Sequence, residues 1–275
     1  MRRTDPRVTE RRPELSQHFI RRGAARSLVR RLRAGPGDLV VEAGAGDGAL
    51  TAALTDAGFR VVAVEKDERL YRRLSARFAG HALVACHHAD FLTFRLPAAP
   101  YRVVSNVPYG VTAAIVRRLL HAARPPDEAL LVVQREAAEK FAGTPRETLF
   151  SLLHQPWFEI AIAGALRRSD FAPAPRVQSS ILRIRRREVP LVAPGSAPSY
   201  RAFVTSAIGH GSADVSRALR GHLTSRQVNR LGRDAGFSPH ARTSQLTFAQ
   251  WLAVFRFVEH ECLGHDPTVG RTEAA

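Results

Sequence analysis

Asn106-Val107-Pro108-Tyr109 is a spacing that can hold an exocyclic amine. The Asn carboxamide oxygen accepts a hydrogen bond. Pro108 has no N–H and fixes its own φ, so the chain turns there and the Val107 carbonyl is left as a second acceptor. Tyr109 offers a ring face for a base. Two acceptors and a stacking surface suit the amino group of adenine. By itself the tetrapeptide is better read as a plain strand-to-helix turn.

A second constellation lies upstream. Val40-Val-Glu-Ala-Gly44-Ala-Gly46-Asp-Gly48 reads as a strand running into a Gly-rich turn with a helix behind it. Such a turn lets a ligand approach the backbone beside a helix N-terminus. The next strand ends at Glu65, 19 residues after Gly46, where an acid can accept both hydroxyls of a ribose. The G-x-G-x-G spacing lacks the third glycine of the dinucleotide fingerprint. Glu42 in the strand would oppose a pyrophosphate, yet it suits a ligand carrying an ammonium and a sulfonium. Past the third strand, Asp90 can accept from an adenine amine and Phe91 can flank its ring. The adjacent His87 and His88 point to opposite faces of a strand and do not read as a metal pair.

The elements that position these residues alternate. Strand-like runs cover 38–43, 60–65, 82–86, 101–106, 128–134, 158–163 and 179–185, with helical patterns between most of them at 49–57, 68–78, 112–122, 135–141 and 146–154. This predicts an α/β fold with a doubly wound, mainly parallel sheet. The last two strands, joined by a loop, are expected to run antiparallel. A Pro- and Gly-bearing linker follows, and only helical patterns lie beyond it. The expected domains are an Arg-rich flexible segment 1–14, a catalytic domain 15–187, a small helical domain 188–265 and a flexible tail 266–275.

Composition narrows the partner. The 275 residues carry a net charge of +16. Only Lys66 and Lys140 are lysines, so arginine supplies almost all of the surplus, and arginine favours bidentate contact with phosphate. Within residues 1–33, eleven arginines stand against Asp5, Glu10 and Glu14, which places half of the net +16 there. A polyanion is the expected partner, nucleic acid rather than membrane. Cys86 and Cys262 make no metal or disulfide framework, and no apolar run is long enough to span a bilayer. A cytoplasmic, monomeric protein without a metal is expected.

Assembled in order, the motifs resemble those of the rRNA adenine N6-methyltransferases, a family comprising the Erm macrolide-resistance enzymes of large-subunit rRNA and the small-subunit dimethyladenosine transferases. The matching stretches are Ser16-Gln-His-Phe-Ile20, Glu42 to Gly48, Val64-Glu65, Asp90-Phe91, Asn106 to Tyr109 and Phe171-Ala-Pro-Ala-Pro-Arg-Val-Gln-Ser179. Gly110-Val-Thr112 departs from the family's usual Asn-Ile-Ser-Thr. The resemblance implies a Rossmann-like class I methyltransferase sheet with a C-terminal α-helical domain, and S-adenosyl-L-methionine as cofactor. It implies that His18 and Ile20 close over the cofactor, Gly44 and Gly46 underlie it, Glu65 holds its ribose, and Asp90 and Phe91 its adenine. Asn106 then sits between cofactor and target amine, and Tyr109 and Phe171 cover a flipped-out adenine. The Erm branch, acting on 23S rRNA and conferring macrolide-type resistance, is the nearer resemblance. The 16S rRNA dimethyladenosine transferase remains an alternative, as do a DNA adenine methyltransferase and a non-catalytic RNA-binding protein on the same scaffold.

Overall fold

The computed structural model describes residues 18–208 and 214–263, so the Arg-rich segment 1–14, Ser16, Gln17 and the tail 266–275 lie outside the described residues. The chain divides into two compact units. One comprises residues up to Ala138 together with Glu159–Arg186, and the other comprises Glu139–Phe158 and residues from Arg187 onward. Sequence reading assigns residues 139–158 to the catalytic domain, whereas packing groups them with the second unit.

The first unit opens with a two-residue strand β1 (Phe19–Ile20) and helix α1 (Arg22–Val29). Strand β2 (Leu39–Ala43), helix α2 (Ala49–Asp56), strand β3 (Arg60–Glu65), helix α3 (Glu68–Arg77) and strand β4 (Val84–His88) follow. Beyond them lie β5 (Arg102–Asn106), α4 (Thr112–Leu120), β6 (Glu128–Gln134) and α5 (Arg135–Ala142). After α6 (Leu149–His154), which belongs to the second unit, come β7 (Phe158–Leu166), β8 (Phe171–Ala172) and β9 (Ser179–Arg186).

Strands β2 to β7 and β9 form one sheet in the order β4-β3-β2-β5-β6-β9-β7, while β1 and β8 pair separately. Pairing is parallel from β4 through β6. The late strand β9 inserts between β6 and β7 and runs antiparallel to β6, with Gln134 opposite Ser179. The central strands are rich in Val, Leu and Ala, as expected where helices cover both faces of a parallel sheet. Leu28, Leu50, Leu54, Val40, Val104 and Leu130 belong to the buried cluster on one side.

This order brings the carboxyl ends of β2, β3, β4 and β5 side by side. The strand order runs outward one way from β2 to β4 and the other way from β5, and that switch between β2 and β5 is where open α/β sheets leave a crevice for ligands. Two local devices shape its rim. Asp67 caps α3 by accepting from the Arg69 and Leu70 amides at 2.9 and 3.1 Å. Gly48 opens α2 at φ +78°, and a Cβ there would lie 2.8 Å from Leu74 and 2.9 Å from Phe78. Any side chain there would force the Leu74 and Phe78 side chains to shift.

The second unit contains α6, α7 (Ala197–Ile208), α8 (Val215–Ala218), α9 (Ser225–Ala235) and α10 (Phe248–Leu263). Trp251, Tyr200 and Phe203 lie in its buried cluster, and the Tyr200 hydroxyl donates to the Leu152 carbonyl at 2.8 Å. Helix α9 is bounded by a Thr224–Gln227 capping box and by Gly236 in the left-handed region. No helix among the described residues is long and apolar enough to cross a membrane.

Candidate active site

A cavity of about 350 Å³ opens at the carboxyl ends of β2 to β5, wholly within the first unit. His18, Ile20, Gly44, Gly46, Glu65, Asp90, Phe91, Asn106, Val107, Pro108 and Tyr109 all line it, so eleven of the twelve residues singled out from the sequence meet in one place. Phe171 does not. The resemblance sets its ring over a target base, but it is 2% exposed and belongs to the core cluster. The reason is the β1–β8 pairing, which fixes Phe171 opposite Ile20 and turns its ring into the apolar interior.

The cofactor end is built from backbone amides and one rigid acid. Glu65 closes β3, and its two carboxylate oxygens accept separately: Oε2 from the Gly46 amide and Oε1 from the Asp67 amide, both at 2.8 Å. Two fixed donors lock the carboxylate plane and leave a lone pair on each oxygen for a diol. Gly46 sits at φ +57°, and a Cβ on it would come within 3.1 Å of the Phe19 ring. Strand β1 therefore packs directly on the Gly-rich turn, and only a glycine admits that approach.

Glu42 lies beneath the turn, 1% exposed, with the Thr51 hydroxyl donating to its Oε2 at 2.6 Å. Burial disfavours the charged form and pushes its carboxyl up to about 8. A cationic ligand group in the cavity would offset that burial. An anionic pyrophosphate would disfavour ionised Glu42 further, whereas a cationic group would stabilise that form, so the residues fit an ammonium- and sulfonium-bearing cofactor better than a dinucleotide.

At the opposite wall, Asp90 accepts from Lys66 Nζ at 2.8 Å and from the Leu92 amide at 2.9 Å. The Lys66 ammonium, followed by the Leu92 amide, holds its carboxyl below the usual range. Asp90 thus stays ionised and presents carboxylate acceptors at the cavity wall. Lys66 is itself a cavity residue that sequence reading passed over, although its being one of two lysines was a signal. His87 and His88 are exposed. His88 stacks on Tyr71 with ring centroids 5.1 Å apart, and no metal-binding group occurs among the described residues.

Asn106, the last residue of β5, also lines the cavity. Its Nδ2 donates to the His18 carbonyl at 2.6 Å. That bond uses one of the two amide N–H groups, orients the carboxamide and leaves Oδ1 as an acceptor. His18 is anchored in turn, its Nδ1 donating to the Pro173 carbonyl at 3.0 Å. Pro108, at φ −59°, starts the expected turn, and Tyr109–Val111 form one turn of 3₁₀ helix. The Tyr109 ring stands 5.7 Å from that of His18, tilted by 35°.

Comparison with known proteins agrees with this geometry. A family model described as "Ribosomal RNA adenine dimethylase" matches residues 8–260. The chain belongs to that family. This methyltransferase is 37% identical to an rRNA adenine N-6-methyltransferase of Streptomyces fradiae over 89% of its own length and 78% of the relative's. It is 33% identical to the mycinamicin-resistance protein MyrB of Micromonospora griseorubida, again over 89% of this chain and 78% of the relative. Among solved structures, that of the 23S rRNA methyltransferase ErmE superposes with a TM-score of 0.82 at 31% identity, covering 88% of this chain and 99% of that one. The α/β sheet is thus the Rossmann-like sheet of an enzyme that uses S-adenosylmethionine.

Proposed function

We propose that this methyltransferase modifies N6 of an adenine in 23S rRNA, in the manner of the macrolide-resistance enzymes, as a monomer in the cytoplasm. The observation that carries the reading is the orientation of Asn106. Its amide is oriented by the bond from Nδ2 to the His18 carbonyl, which leaves Oδ1 as an acceptor in the cavity that Tyr109 and Glu65 also line.

When bound, S-adenosylmethionine supplies a methyl group on a positively charged sulfur. On this reading Glu65 holds its ribose, Asp90 and Phe91 its adenine, and Gly44, Gly46 and the β1 residues His18 and Ile20 enclose the rest. The adenine amine is a poor nucleophile because its lone pair is delocalised into the ring. Asn106 Oδ1 and the Val107 carbonyl accept its two N–H bonds, which favours a pyramidal nitrogen and withdraws the lone pair from the ring. That is catalysis by positioning and electrostatics, and needs no strong base. Water takes the proton that N6 loses. The base must leave its stack to enter, at a cost of a few kcal/mol, and stacking on Tyr109 returns ~1–3 kcal/mol. With Phe171 buried, Tyr109 is the base's aromatic partner in this conformation.

The test is Asn106→Ala against Glu65→Ala, with methyl incorporation into protein-free 23S and 16S rRNA and cofactor Kd measured for each. Asn106→Ala is expected to abolish transfer while leaving cofactor affinity within a few-fold of wild type. Glu65→Ala is expected to weaken the cofactor by more than tenfold. Undiminished transfer by Asn106→Ala would overturn the site, and incorporation into 16S but not 23S rRNA would overturn the target.

A further inference from the structure

Strand β9 opens with two serines where its continuation, Ile-Leu-Arg-Ile, is dominated by apolar residues. Ser179 is 1% exposed, and a hydroxyl so buried needs a partner. Its Oγ lies 2.9 Å from the hydroxyl of Tyr109, 70 residues earlier in the chain. We propose that Ser179 is a positioning residue for methyl transfer, fixing through this bond the Tyr109 ring on which the target base stacks. The proposal rests on the reading that Asn106 and Tyr109 receive an adenine.

The geometry explains why one hydrogen bond matters here. Tyr109 sits on a single 3₁₀ turn at the cavity edge, with Gly110 behind it and no helix yet begun. A ring on so short a support swings about χ1. The phenol oxygen lies on the χ2 axis, so a bond at that oxygen restrains the swing of the ring rather than its spin. The His18 ring, 5.7 Å away at 35°, bounds the remaining tilt. The backbone is held separately, since the Thr112 hydroxyl donates to the Tyr109 carbonyl at 3.2 Å. Ser179 is the better fixed partner. It faces Gln134 in the β6–β9 ladder, and the Arg135 amide donates to the Gln178 carbonyl at 3.0 Å just beyond. The phenol is therefore referenced to the sheet rather than to its own loop, and the sheet also carries Asn106 at the end of β5.

A fixed ring matters more for turnover than for folding. A base that stacks on a swinging platform presents its amine to Asn106 only part of the time, and misplacement of a reacting group by about 1 Å can cost ~100-fold in rate. Loss of the bond should therefore appear in kcat, with the cofactor site unaffected, because Glu65, Gly46 and Asp90 do not depend on Tyr109.

The experiment is a double-mutant cycle with Ser179→Ala, Tyr109→Phe and the double variant, measuring kcat and KM on protein-free 23S rRNA and cofactor Kd by calorimetry. Ser179→Ala is expected to lower kcat about tenfold with cofactor Kd unchanged. Tyr109→Phe keeps the ring, lacks the hydroxyl and should lose a similar factor. The double variant should be no slower than Tyr109→Phe alone, because only one bond exists to lose. Equal, multiplicative losses in the two backgrounds would overturn the proposal, since Ser179 would then act elsewhere. So would full kcat in Tyr109→Phe, a variant that leaves the strand untouched should Ser179→Ala fold poorly. Normal kinetics in the cycle, with Asn106→Ala still inactive, would remove this inference and leave the proposed function standing.

Discussion

Replacing Glu42 by Gln isolates the electrostatics of the cavity floor. Glu42 is fully buried, and desolvation raises its carboxyl from an ordinary 4.5 to about 8. In the unfolded chain the same acid ionises near 4.5. Between those values the native state holds a proton that the unfolded state has released, so stability falls as pH rises through this window. Each pH unit removes about 1.4 kcal/mol, which is about 3 kcal/mol from pH 5 to pH 7. The Gln variant has no proton to release, and its carboxamide oxygen still accepts from Thr51. Urea unfolding of the two proteins at pH 5, 6 and 7 should give a stability difference that grows in favour of the variant by that amount. Cofactor binding should show the converse. A cation beside Glu42 favours its ionised form, so wild-type affinity should climb toward pH 8, by as much as ~10-fold per unit, and the Gln variant should stay flat. Parallel stability curves for the two proteins between pH 5 and 7 would refute the burial argument. A pH-dependent variant and a pH-independent wild type would refute the placement of positive charge near Glu42.

Gly48→Ala should destabilise the first unit by about 2 kcal/mol or more in urea, because the new methyl meets Leu74 and Phe78 under 3 Å in a left-handed backbone. Gly80→Ala shares the positive φ with open space around it, so it should lose only about 1 kcal/mol, and equal losses would show that the clash is not real. The +16 charge predicts an rRNA affinity that falls about 10³-fold between 50 and 200 mM salt if roughly six phosphates are neutralised, whereas a flat profile in filter binding would exclude a phosphate-dominated grip.

Much of the site could be read along the chain because its parts are local. The Gly-rich turn, Glu65 and Asp90 each follow a strand within a few residues, and strand ends converge in any parallel sheet. Every strand of the large sheet was legible as an apolar run, and β3 (Arg60–Glu65) and β6 (Glu128–Gln134) begin and end where the sequence pattern predicts. The short pair β1–β8 was not. Two residues carry no periodicity, and their partners stand about 150 positions apart.

Residue type and spacing, then, narrowed the chemistry: an acceptor at Asn106 suited to an amine, an acid at Glu65 suited to a ribose, an acid at Glu42 suited to a cationic ligand and an arginine surplus suited to nucleic acid. Those properties belong to side chains and to neighbours within one loop. Only the tertiary structure decided which groups are free to act. It bonded the Asn106 amide to His18, placed Phe171 in the core, inserted β9 next to β6 and so brought the Ser179 hydroxyl to Tyr109. Each of these is a contact across 45 or more residues. Their outcome depends on which surfaces the sheet buries, and that is a property of the packed chain rather than of any segment of it.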